Sequence, residues 1–200
     1  MRTEAMDRWA EHCCHYFEQP SADCTVLHPT NHRKLHIDML LFPPNEIYPF
    51  WKLATMGASD YKLPLTFCRR NEFVMFISED RDLRERETLT WYCDVLLSIA
   101  LYPAENHIVM TAGHSIIWGR QEGTDMFGAF LSLPFAVKDT GFHRCSLGFS
   151  RETFCLQATL LTEEECKCLV SIGTQEFFHF LQPQGQPAHF LSQRYRSQTF

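Results

Sequence analysis

The chain has 200 residues, 45% hydrophobic and 21% charged, which is enough for one sizeable core and short for two, so a single domain over residues 1–200 is expected. A net charge of -6, with no clustered run of Lys and Arg, argues against a groove that neutralises nucleic-acid phosphates and suits a basic partner. The cysteine count of 9 is odd, and neither a leader-like start nor a long apolar run is visible, so free thiols in a cytoplasmic protein without membrane contact are expected.

Met6, Trp9, Ala10, Cys13, Tyr16 and Phe17 recur at helical spacing and Pro20 follows as a stop, so the chain opens with an amphipathic helix lying on a sheet. His12, Cys13, Cys14, His15, Cys24, His28, His32 and His36 crowd this region, and both residue types ligate zinc. Their spacing fits no established zinc module, and Cys13 falls on the apolar stripe, where cysteine behaves as a small hydrophobe. Core thiols and surface histidines are therefore the reading, with no metal and no cofactor.

Residues 25–27 form a short edge strand, and 28–34 the loop that follows it. Along Leu35, Ile37, Met39 and Leu41 the apolar residues alternate with His36 and Asp38, the period of a strand with one buried face. Leu40 and Phe42 make its far end apolar on both faces, which carries it into a layered domain. Pro43 and Pro44 end it, since proline offers no N–H to a ladder. Residues 48–55 resume β character until Met56-Gly57-Ala58-Ser59-Asp60, a turn whose glycine can take positive φ. Residues 72–77 read as a central strand covered on both faces.

Residues 78–87 are the densest charge run, and the pairs Asp80–Arg84, Arg81–Glu85 and Asp82–Arg86 predict an exposed helical turn. Thr88 then caps a helix over residues 88–101, with Leu89, Tyr92, Leu96 and Ile99 on one face, Trp91 and Val95 widening it, and Pro103 ending it. Residues 108–118 make a strand in which Gly113 marks a bulge or close approach. Residues 119–128 are a flexible polar loop, 130–137 an edge or interrupted strand at Pro134, and 139–150 are too rich in turn residues to assign. Residues 153–161 are a strand, and Thr162 with Glu165 forms a capping box. The helix it opens buries Cys166, Leu169, Val170, Phe177, Phe178 and Leu181, with Gly173 weakening it by about 1 kcal/mol. Residues 182–187 connect it to His189-Phe190-Leu191. The fold class is α+β: a mixed, largely antiparallel β-sheet with three helices packed on it.

His36, Asp38, Asp60, Arg70, Glu72 and His114 are the side chains that acid–base chemistry would use. They equally suit buried hydrogen bonds that hold a loop against a sheet, and no nucleophile elbow, phosphate loop, HExxH or paired-carboxylate spacing accompanies them. We therefore assign no catalytic residue and expect no enzyme. The order HID at 36–38, PP at 43–44, LATMGASD at 53–60 and RNE at 70–72 resembles the bacterial branch of the Suppressor of fused family. Trp91, Leu101-Tyr102-Pro103, Gly113-His114, residues 162–165 and residues 194–197 continue the resemblance over nearly the whole chain. It departs from the pattern at the loop tip, where Met56-Gly57-Ala58-Ser59-Asp60 stands for the usual Ser-Gly-Met-Ser-Asp.

The resemblance implies the fold of the family's N-terminal domain and a protein-binding role. His36, Asp38, Ser59, Asp60, Arg70, Glu72 and His114 would then be a partner-binding or structural polar cluster. Family precedents are regulation of a transcription factor in animals and, in bacteria, neutralisation of a toxin domain by an immunity protein. The chain has only the length of that N-terminal domain, so the animal protein's two-domain peptide clamp is not carried over. An immunity protein meeting a basic toxin domain through the Asp60 loop and residues 119–128 is the favoured expectation. The alternatives are a bacterial regulator of another protein, or a hydrolase or metal-binding enzyme using the His/Asp/Glu cluster.

Overall fold

The computed structural model describes residues 3–28, 35–61, 70–78, 82–148, 151–181 and 191–193. Helix α1 (Glu4–Tyr16) begins at Thr3, whose hydroxyl accepts from the Met6 amide at 3.3 Å. It is followed by β1 (Thr25–Leu27), β2 (Asp38–Phe42), β3 (Trp51–Met56) and β4 (Asn71–Ile77), an antiparallel meander with β1 at the edge. After α2 (Arg86–Asn106) come β5 (Ser115–Ile117), β6 (Met126–Ser132), β7 (Arg144–Gly148) and β8 (Arg151–Thr162), then α3 (Glu163–Ile172) and α4 (Thr174–Leu181). The sheet order is β1-β2-β3-β4-β8-β6-β5, and among the pairings of these strands only β4–β8 is parallel. At 12 residues, β8 is long enough to serve three neighbours: β4 on one side, β7 and then β6 on the other. The mixed, largely antiparallel sheet of the α+β expectation is what the chain builds.

Strand alternation makes two apolar layers. Met39, Leu41, Leu53, Phe73, Met75 and Ile77 pack against Tyr92, Leu96 and Ile99 of α2. The intervening Leu40, Phe42, Ala54, Val74 and Phe76 pack against Trp9, Cys13 and Phe17 of α1. At the far end of that second face, α3 and α4 cover Phe130 and Leu161 with Cys166, Leu169 and Phe177. β4, buried at every residue, lies in the middle as its all-apolar run implied.

The seam between β4 and β8 has an unusual completion. Their ladder runs from Asn71↔Phe154 to Val74↔Gln157; beyond it Ser192 inserts. The Ser192 amide donates to the Phe76 carbonyl at 2.7 Å, its carbonyl accepts from Ser78 at 3.1 Å, and its hydroxyl accepts from the Leu160 amide at 3.1 Å.

Several sequence expectations need correction. Helix α2 starts two residues before Thr88, with Glu85 as an N-cap that makes no side-chain bond. Asp82 organises the preceding turn by accepting from the Arg84 amide at 3.0 Å, so residues 82–85 are a turn, not a helical one; Asp80 and Arg81 lie outside the described residues. Pro103 lies within α2, near its end: the helix runs on to Asn106, and the Pro103 carbonyl accepts from the amides of left-handed His107 and of Ile108. The strand expected over 108–118 shrinks to β5 because Gly113, at φ 96°, sits in a turn. β6 begins at Met126, inside the expected loop, and Pro134 lies past its end, so β6 is an interior strand. Gly173 (φ 82°, ψ 167°) divides the last helix in two, and Val170 is 73% exposed instead of buried. The capping box is present with both of its bonds. Residues 182–187, 189–190 and 194–197 lie outside the described residues.

Candidate functional site

The loop between β3 and β4 is built around one carboxylate. Gly57, at φ 112°, reverses the chain as only glycine does easily, and a Cβ there would run into the His36 carbonyl. This turns the amides of Gly57 and Ser59 inward, where both donate to Glu72 Oε1 at 3.0 Å. The Thr55 hydroxyl donates to Glu72 Oε2 at 2.6 Å and accepts from the Phe73 amide at 2.8 Å. Trp9 Nε1 donates to the Thr55 carbonyl at 2.6 Å, fastening α1 to the same point. Arg70 donates to the carbonyls of Ser59 at 2.7 Å and Asp60 at 3.3 Å. The Arg70 carbonyl in turn accepts from the Phe154 amide of β8 at 2.8 Å.

Glu72 is 1% exposed, and burial pushes its carboxyl above the ordinary carboxylate range while the bonds from Thr55, Ser59 and Gly57 hold it back. Cys13 and Cys155 nearby are fully enclosed; burial first, then neighbouring thiols and Glu72, push their thiols well up, which makes them inert core residues. The eight described cysteines form no disulfide with one another; Cys68 lies outside the described residues. A carboxylate with its acceptor capacity turned to its own loop is a brace.

Of the seven candidate residues, Ser59, Asp60, Arg70 and Glu72 come together in this brace. Asp60 points outward, exposed, and pairs with half-buried Arg151 of β8 at 2.7 Å. His36 touches the loop by its backbone, while its ring meets Asp38 at 3.2 Å. His114 is elsewhere: it precedes β5 at the other sheet edge and bonds within its own turn, at 3.1 Å to the Thr111 amide. Thr55, Trp9 and Arg151 were not singled out from the sequence. Thr55 stands inside the quoted motif and Trp9 in the apolar stripe of the first helix, whereas Arg151 carries no local signal.

A second feature lies apart from the brace. A groove of about 420 Å³ opens between α2 and β5, lined by Trp91, Val95, Ile99, Tyr102, Ile117 and Trp118 among others. Ile117 is 47% exposed beside it, and β5 ends the strand order, so its outer edge pairs with no described strand. The turn at residues 119–125, part of the expected contact loop, adjoins this groove through Gln121.

The sequence model of the family described as Suppressor of fused protein (SUFU) matches residues 33–194. Among solved structures, the Sufu-Fu complex crystal structure aligns at a TM-score of 0.70 and 12% identity, covering 98% of this chain and 91% of that one. A SUFU homolog from Neisseria gonorrhoeae FA 1090 aligns at 0.64 and 15% identity, covering 93% of this chain and 92% of that one. Drosophila Suppressor of Fused aligns at 0.69 and 12% identity over 98% of this chain but 51% of its own, so the chain spans about half of it. At such identities the likeness establishes the fold. No curated protein matches the chain. No helix among the described residues is long and apolar enough to cross a membrane.

Proposed function

Because the chain belongs to the Suppressor of fused protein family, we propose that it is a non-enzymatic protein-binding domain and that it acts as an immunity protein, occluding a cognate toxin domain. The observation that carries the reading is the aromatic groove beside β5. Tryptophan and tyrosine around a half-open apolar cleft are the anchors on which protein interfaces concentrate their energy. A strand edge next to it that pairs with no described strand offers a partner backbone hydrogen bonds. A structure of a relative, the Sufu-Fu complex, was solved with a protein partner, which agrees with this use of the fold.

Occlusion needs rigidity and complementarity, not turnover. The Glu72 brace supports the first by fixing the loop, with Asp60 on its outer side, where a basic partner would compete with Arg151 for the carboxylate. The net charge of -6 supports the second by steering a basic, nuclease-like domain toward the surface.

Co-expression with the toxin domain of a neighbouring gene tests the reading. Wild-type chain is expected to rescue growth and to co-purify as a stoichiometric complex. Trp118→Ala or Ile117→Asp is expected to weaken that complex by more than about tenfold, the scale of a lost hot spot, with thermal stability little changed. Rescue that survives both substitutions moves the interface away from this groove, and failure to bind any neighbouring gene product refutes immunity. A substrate turnover abolished by Asp60→Ala would establish the enzymatic alternative instead.

A further inference from the structure

We propose that His28, His36 and Asp38 form a binding site for a divalent transition-metal cation of the zinc type. Sheet geometry places them. β1 and β2 pair antiparallel with Leu27 opposite Met39, so continuing the register sets His28 opposite Asp38. Opposed residues share a face, and so do residues two apart on an extended segment, which adds His36. The side chains meet accordingly: His28 Nδ1 lies 2.7 Å from Asp38 Oδ1, His36 Nε2 lies 3.2 Å from the same oxygen, and the three donor atoms fall within 4.8 Å of one another.

Burial is graded in the way a cation site requires. The Asp38 side chain is 5% exposed and held at the start of β2, whereas the two rings are 70% and 63% exposed. A fixed carboxylate thus lies beneath two imidazoles that water, and a hydrated cation, can reach. Donors around a tetrahedral cation with bonds of about 2.0–2.2 Å sit roughly 3.3 Å apart, so small ring rotations suffice. The cation would sit between the two ring nitrogens and Oδ1, with its remaining position facing solvent. Two nitrogens and one oxygen favour Zn²⁺, Co²⁺ or Ni²⁺ over a soft cation. Cys13 does not join, being sealed in the core as a protonated thiol. Chain spacing conceals the site because two of its ligands meet only across a strand pair. Once bound, the cation ties edge strand β1 to β2 and steadies the His36 carbonyl against Gly57.

The test is Zn²⁺ titration of the full chain after chelator treatment and desalting, by calorimetry, with Co²⁺ absorption as a second readout. One cation per chain is expected, with a higher melting temperature and a Co²⁺ spectrum of low coordination number. His28→Ala and His36→Ala, both at exposed rings, are each expected to weaken binding by more than about tenfold, while His15→Ala leaves it unchanged. Absence of stoichiometric Zn²⁺ binding overturns the proposal. So does binding, or thermal stabilisation by Zn²⁺, that persists in the His28→Ala/His36→Ala double variant.

Discussion

Replacing Glu72 separates bracing from a need for charge. In Glu72→Ala, the Gly57 and Ser59 amides lose the oxygen they share at 3.0 Å, and each orphaned buried donor costs about 1–3 kcal/mol. With the void left by the missing carboxyl, a loss of about 3–5 kcal/mol is expected. Glu72→Gln keeps the shape and one acceptor oxygen for both amides. Its NH₂ donates to the Thr55 hydroxyl, which turns its own proton to the Phe73 carbonyl 3.3 Å away. Each partner of Glu72 is served and no buried charge remains, while the second N–H of the new amide gains no acceptor among these groups, so a loss of about 1–2 kcal/mol, well short of that in Glu72→Ala, is expected. The pH dependence follows from the raised folded pKa. Above the ordinary glutamate value the unfolded chain has released a proton that the folded one keeps, so wild-type stability falls as pH rises until the folded state ionises too. Glu72→Gln lacks this contribution. Urea unfolding followed by tryptophan fluorescence from pH 4 to 8, compared at constant m-value, measures all three proteins. Glu72→Ala within about 1 kcal/mol of wild type, or Glu72→Gln as damaging as Glu72→Ala, refutes the brace.

Other substitutions probe neighbouring features. Gly57→Ala is expected to cost at least about 2 kcal/mol in chemical unfolding, from positive φ and the collision with the His36 carbonyl. Lys52 is fully buried in β3 with its Nζ hydrogen-bonded to no described group and 5.8 Å from the Tyr48 ring, and burial pushes its pKa down to about 8. Between that value and the ordinary 10.5 the unfolded chain holds a proton the folded one lacks, so stability rises with pH across that window. Lys52→Met is therefore expected to gain about 1–3 kcal/mol at pH 7 and to lose most of the advantage above pH 10, measured by thermal unfolding. Thr162→Ala removes one arm of the capping box and is expected to cost about 1 kcal/mol in the same assay.

Local patterns made the central meander legible. Alternation around His36 and Asp38, the Pro-Pro stop and the all-apolar run of β4 each report a strand's surroundings directly. The glycine turn and the capping box were equally plain because their chemistry lies within a few residues. β7 was not legible, since its strand character comes from pairing with β8 and not from its turn-rich composition. Pro103 misled because, so near a helix end, proline forfeits one bond without breaking the helix. Within the site, the Thr55, Ser59 and Glu72 constellation could be guessed from motif order. Two of the contacts to Glu72 use backbone amides, which no side-chain letter reveals, and Trp9 arrives from a helix 46 residues away. The α2–β5 groove is likewise assembled from two separate segments, so neither shows it alone.

The serine wedged into the β4–β8 seam bears on how this protein is made. During synthesis the first four strands leave the ribosome well before their parallel neighbour, and the final rungs of the junction arrive only with Ser192. Until β8 emerges the nascent meander carries an open border at β4, the kind of edge that recruits foreign strands, and its Phe76–Ser78 end gains its bonds only with Ser192. Truncation ahead of Ser192 takes away the bonds to the Phe76 carbonyl and the Ser78 amide, so a residue well downstream of β8 acts as the closing stitch of the sheet's middle.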